Sequence, residues 1–137
     1  MGAWYTIGAS LGVGLGSGVL LGGMLGWSRI GAGVAAIAAA AIGVAFTFGF
    51  GPAEPIAAGV GGLIGALSVA VVVRGALLRG GTRIGMAAFM GAIALLIWAL
   101  GAIPIVGYIE AFAIPFLATR VRGRQAERFA GLRTLAK

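Results

Sequence analysis

Long apolar stretches separated by short polar breaks dominate this chain. The first charge is Arg29, so residues 4–25 carry none, with Trp4, Tyr5 and Trp27 near the two ends. Tryptophan and tyrosine favour a membrane–water interface, because one edge of the ring is apolar and the other hydrogen-bonds. A helix needs roughly 20 apolar residues to cross ~30 Å of hydrocarbon. The pattern therefore predicts spanning helices at about residues 4–25, 30–49, 56–73 and 84–102. A fifth apolar stretch, residues 105–119, is shorter and holds Glu110 and Pro115. Phe48-Gly49-Phe50-Gly51-Pro52-Ala53-Glu54-Pro55 reads as a turn, since proline cannot donate and glycine tolerates positive φ. Residues 74–83 read as a basic loop, and Pro104 interrupts the fourth span.

Composition agrees with this pattern. Of 137 residues, 61% are hydrophobic, 9% are charged and 27 are glycine. A soluble domain carries about 25% charged residues, and so few charges cannot cover a water-facing surface. The mean hydropathy is +1.11. The expected fold is an all-α integral membrane protein of five transmembrane helices. It has a transmembrane domain over residues 1–119 and a basic tail over residues 120–137. The chain has no cysteine and no histidine. It thus lacks thiolates, imidazole bases and the usual zinc, haem and iron–sulfur ligands, and no catalytic residue, metal site or cofactor is expected. Too few polar groups lie near one another to predict an enzyme.

Charge sets the orientation. Six of the ten basic residues lie after residue 119, and Arg74, Arg79 and Arg83 cluster in the second basic break. With five spans and the amino terminus outside, all ten fall on the cytoplasmic side and the outer connections carry only Glu54. The uncharged start lacks the basic region of a secretory signal, so the first span is expected to be retained. The net charge of +7 is read as an orientation signal and an attraction to anionic lipid headgroups through Arg120, Arg122 and Arg124, not as nucleic-acid binding. The tail is expected to form a helix broken at Gly123 and Gly131, with Phe129, Leu132 and Leu135 on a weak apolar side. Nine of the ten basic residues are arginine, and alanine and glycine abound. That bias points to a GC-rich genome and a bacterial inner membrane.

Two internal patterns stand out. Ser28-Arg29-Ile30-Gly31 matches Thr82-Arg83-Ile84-Gly85, with Ser28 and Thr82 placed as helix N-caps. The match suggests two parallel two-helix repeats followed by the short fifth helix. Glycine recurs every four residues at Gly8, Gly12 and Gly16, again at Gly14, Gly18 and Gly22, and at Gly61 and Gly65. Such rows let helices approach closely. They suggest a homo-oligomer packed through the first and third spans. The run Gly12-x-Gly14-x-Gly16-x-Gly18 resembles the glycine-rich helix of rotary ATP synthase ring subunits over that one helix. Those rings also need a mid-depth carboxylate on the partner helix. The second and fourth spans have none, so the likeness is one of packing.

Glu110 is the candidate for chemistry. A carboxylate within a span is costly and by default faces a bundle interior or a wet cavity. The competing reading is an interfacial glutamate that reaches the outer surface from a short helix. Tyr108, Thr47 and Ser68 are candidate partners, and Pro115 would free the carbonyl of Ala111. Glu54 is expected to cap the third span at its positive end. Two functions follow. One is an oligomeric channel or transporter for protons or a small cation, with Glu110 and Tyr108 at the site. The other is a non-transporting structural or accessory membrane protein that acts through helix packing and its basic tail.

Overall fold

The computed structural model describes residues 2–133; for Pro104 and residues 124–133 it describes the backbone alone. Five helices follow in order: α1 Ala3–Leu25, α2 Arg29–Thr47, α3 Ala53–Leu77, α4 Arg83–Gly101 and α5 Pro104–Arg133. The two matching tetrapeptides start α2 and α4. Ser28 Oγ accepts from the Gly31 N–H at 2.9 Å, and Thr82 Oγ1 accepts from the Gly85 N–H at 3.1 Å. Each side chain satisfies a donor that the helix start leaves free. Pro104 opens α5, where its missing N–H costs nothing. The end of α3 closes with the Gly81 N–H donating to the Ala76 carbonyl at 3.1 Å. Gly80 supplies the φ of +90° that this closure needs.

Helices α1 to α4 are long and apolar enough to cross a membrane. Large apolar side chains face outward on several of them. Ile30, Ile37, Phe89 and Phe112 each expose more than half of their surface. In water this would be a far larger apolar face than monomers leave bare. In lipid it is the ordinary exterior, and the chain is an all-α, multi-pass membrane protein.

Two boundaries differ from the sequence expectation. Helix α3 extends through Glu54 at one end and Arg74 at the other, so the basic loop contracts to residues 78–82. Arg74 stays helical with its Nε donating to the Ala70 carbonyl, one turn back, at 3.1 Å. Helix α5 runs through Pro115, and it also runs through Gly123 and Gly131, where a break was expected. A glycine costs a helix only about 1 kcal/mol relative to alanine. The neighbouring arginine, glutamine, alanine and glutamate residues are all good helix formers.

Helix α1 occupies the centre and touches all four others, α3 most extensively. Gly14, Gly18, Gly22 and Gly26 meet Ala58, Gly62, Ala66 and Ala70 in turn, so α1 and α3 run parallel. Gly12, Gly16 and Gly23 meet Gly101, Trp98 and Met90, so α4 lies antiparallel to α1. Helix α2 packs antiparallel on α3, with Gly43 on Ala58 and Gly62 on Ala39. Thus α2 leans on α3 as α4 leans on α1, while α3 and α4 hardly touch. The matched halves are interleaved rather than folded as separate hairpins. Helix α5 runs in the direction of α1, with Gly107 on Gly8, and also packs on α3.

This arrangement sorts the charges. Helices α1, α3 and α5 run towards one end, where α2 and α4 begin. Arg29, Arg74, Arg79, Arg83, Arg120 and Arg122 therefore share that basic end, and Glu54 lies at the opposite end.

Candidate functional site

The inward stripe of α5 carries Gly107, Glu110 and Ala118, all buried. This spacing of three to four residues per turn keeps Glu110 on the face that packs on the bundle. The side chain ends beside the contact between Gly12 of α1 and Gly101 of α4. Both glycines are needed there, because a methyl group on either would collide with the backbone of the other. Counted along α1 from Ala3, the level of Gly12 is about 14 Å into the bundle, and its partner Gly101 is the last residue of α4. Glu110 is 8% exposed, so it does not reach the outer surface. Its Oε2 is buried and has no hydrogen-bond partner among the described residues.

The expected partners do not meet it. Tyr108 Oη donates to the Trp4 carbonyl at 3.1 Å, which ties α5 to the first turn of α1. Thr47 Oγ1 donates to the Gly43 carbonyl of its own helix at 2.8 Å. Among the described residues no group of three or more Asp, Glu, His or Cys side chains could hold a metal ion.

The second carboxyl is placed differently. Glu54 lies in the first turn of α3, after an N-cap position held by Pro52, and its carboxyl turns back to the free N–H groups of Ala53 and Glu54 at the positive end of the helix, as expected. Glu54 Oε1 also accepts from Thr6 Oγ1 of α1 at 2.6 Å. The same hydroxyl lies 3.0 Å from the Ala3 carbonyl. One hydroxyl proton serves one acceptor at a time. An ionised Glu54 takes it; a protonated Glu54 donates to Thr6, which then turns to Ala3. Either state is satisfied. Beside this pair, Thr6, Ser10, Val13, Phe46, Thr47 and Phe50 help to line a largely apolar cavity of about 320 Å³.

The glycine rows of α1 are engaged within the chain. Gly8 meets α5; Gly12 and Gly16 meet α4; Gly14, Gly18 and Gly22 meet α3; and Gly61 and Gly65 of α3 fit against the Leu11 and Leu15 carbonyls. The faces expected to join copies of the protein thus hold one copy together. The sequence reading missed Trp98, which covers Gly16 and donates from Nε1 to the Val13 carbonyl at 3.1 Å. That carbonyl also accepts from Ser17 Oγ at 2.9 Å. An uninterrupted apolar run offers no signal that this tryptophan, still 39% exposed, reaches across to α1.

Of the tail residues, Arg120 and Arg122 are exposed, and the Arg124 side chain falls outside the described residues. Comparison with known protein families, curated proteins and solved structures finds no match.

Proposed function

We propose that this protein moves protons across a membrane, with Glu110 as the proton-binding group. The observation that carries the reading is a buried carboxyl oxygen with no partner among the described residues, inside the bundle where three helices meet. An orphaned buried polar atom costs stability and calls for an explanation. Ionisable groups inside spans are by default functional. Between a proton and a small metal cation, the surroundings favour the proton. A cation needs several oxygens around it, whereas a proton needs one, and Glu110 stands without polar side-chain partners. Tyr108 is assigned to holding α5 on α1 and not to the site.

Placing the basic end in the cytoplasm puts the amino terminus outside and makes α5 a fifth crossing. Its residues 105–119 cover about 22 Å at 1.5 Å per residue, and the helix continues past them to complete the crossing. The setting is taken to be a bacterial inner membrane. Reporter fusions at Gly51 and Lys137 should report opposite sides; the same side for both would remove the fifth crossing. Assembly into a homo-oligomer, if used for transport, would engage the outward faces of α2 and α4, which carry the exposed Ile30, Ile37 and Phe89.

The test is flux. Wild-type protein in proteoliposomes with an imposed potential should acidify or alkalinise the lumen. Glu110→Gln should slow this by about a hundredfold, the lower range for loss of a proton-transfer group. Absence of flux from wild type would overturn the reading.

A second reading, a non-transporting accessory role, draws on a different observation. Helix α5 continues to Arg133, well past its apolar part, and presents exposed Arg120 and Arg122. A projecting basic helix suits anionic lipid or an acidic cytoplasmic partner.

A further inference from the structure

A pocket of about 440 Å³ opens at the basic end, lined by Trp27, Arg74, Leu77, Leu78, Gly81 and Arg83. We propose that it is a binding site for the phosphate headgroup of an anionic phospholipid. The two arginines come from different elements and are held in different ways. Arg74, in the last turns of α3, gives its Nε–H to the Ala70 carbonyl. A guanidinium carries five N–H donors, so its outer fork remains for a ligand. Arg83, the first residue of α4, holds its guanidinium carbon over the Trp27 ring, 4.8 Å from the centroid. The contact is a cation–π attraction, and among the described residues no side-chain hydrogen bond occupies the Arg83 N–H groups. Trp27 sits in the α1–α2 turn, so three connected segments build the pocket.

Charge and position select the ligand. The pocket holds two guanidinium groups and no carboxylate. Of the acids with described side chains, Glu54 lies at the opposite end and Glu110 beside Gly101, at the other end of α4 from Arg83. The positive end of the α4 dipole is offset by the negative end of α3 at Leu77, so the attraction rests on the two guanidinium groups. Guanidinium forks match phosphate oxygens bidentately. A free phosphate and a lipid phosphate share that chemistry. The lipid is favoured because Leu77 and Leu78 form the remaining wall and Leu78 is 88% exposed. The pocket also lies where the apolar spans end, at the depth of headgroups. This site is separate from Arg120, Arg122 and Arg124 and does not depend on the role of Glu110.

The experiment is native mass spectrometry of the full chain in detergent, titrated with dioleoyl phosphatidylglycerol or dioleoyl phosphatidylcholine. Wild type should retain one phosphatidylglycerol about tenfold more tightly than phosphatidylcholine, the size of a charge-assisted hydrogen bond. Arg74→Gln/Arg83→Gln should lose that preference, and Arg120→Gln/Arg122→Gln should keep it. Arg74→Lys/Arg83→Lys, which preserves charge and helix, should weaken it, because lysine offers no planar fork. Full retention of the preference in either Arg74/Arg83 double variant would overturn the site. Inorganic phosphate added at millimolar concentration should not displace the lipid; complete displacement would mean that the pocket takes a free anion.

Discussion

The molecule buries two carboxyls and treats them in opposite ways. Glu54 sits at a helix end, against a hydroxyl that has a second acceptor in reach, so both of its protonation states are accommodated. Glu110 sits inside the bundle, pressed on a glycine–glycine contact, with an oxygen that none of the described residues engages. The lesson is that an acid in a membrane helix is structural when the fold answers its hydrogen-bonding needs. It becomes a candidate for work when the fold leaves those needs open.

The comparison can be broken most decisively by flux. Glu110→Gln should slow proton movement about a hundredfold while Glu54→Gln leaves it largely intact; equal loss in both would erase the distinction. A smaller effect concerns stability. Glu110→Leu replaces an orphaned polar group with an apolar one of similar size, and should raise stability by about 1–3 kcal/mol, the cost of leaving such a group unpaired. Chemical unfolding in micelles measures this, and a loss would show that Glu110 has a stabilising partner. The smallest change should come from Thr6→Val. It removes the hydroxyl from Glu54 at a bundle end where water can take its place, so the melting temperature should fall only slightly. A fall larger than the gain from Glu110→Leu would make the Thr6–Glu54 pair a principal tie between α1 and α3.

Much of the fold was legible in the sequence because hydrocarbon thickness fixes helix length. The starts of α2 and α4 were legible from Ser28 and Thr82, since capping is local. What depended on long-range contact was not. Nothing near Glu54 in sequence announces Thr6, and nothing near Gly16 announces Trp98. The glycine rows announced close packing without naming the partner, and the partners proved to be helices of the same chain. Arg74 was read as loop because charge usually marks the end of a span; a bond to its own helix keeps it inside one. For Glu110, sequence could give an approximate depth, but facing inward follows from Gly107 and Ala118 sharing its stripe.

The central place of α1 bears on how the protein is made. A chain leaves the ribosome from its amino terminus, and the earliest segment waits for those that follow. Of these five helices, α1 is synthesised before the four that dock against it, and its most extensive neighbour is not the next helix but the one after. Until α3 arrives, the glycine flank of α1 has only lipid beside it, and the α4 flank stays open longer still. Assembly is therefore ordered around a waiting template, and the last partner to arrive, α5, is the one that brings Glu110 against the Gly12–Gly101 contact. The buried acid enters its setting only when the rest of the bundle has been synthesised.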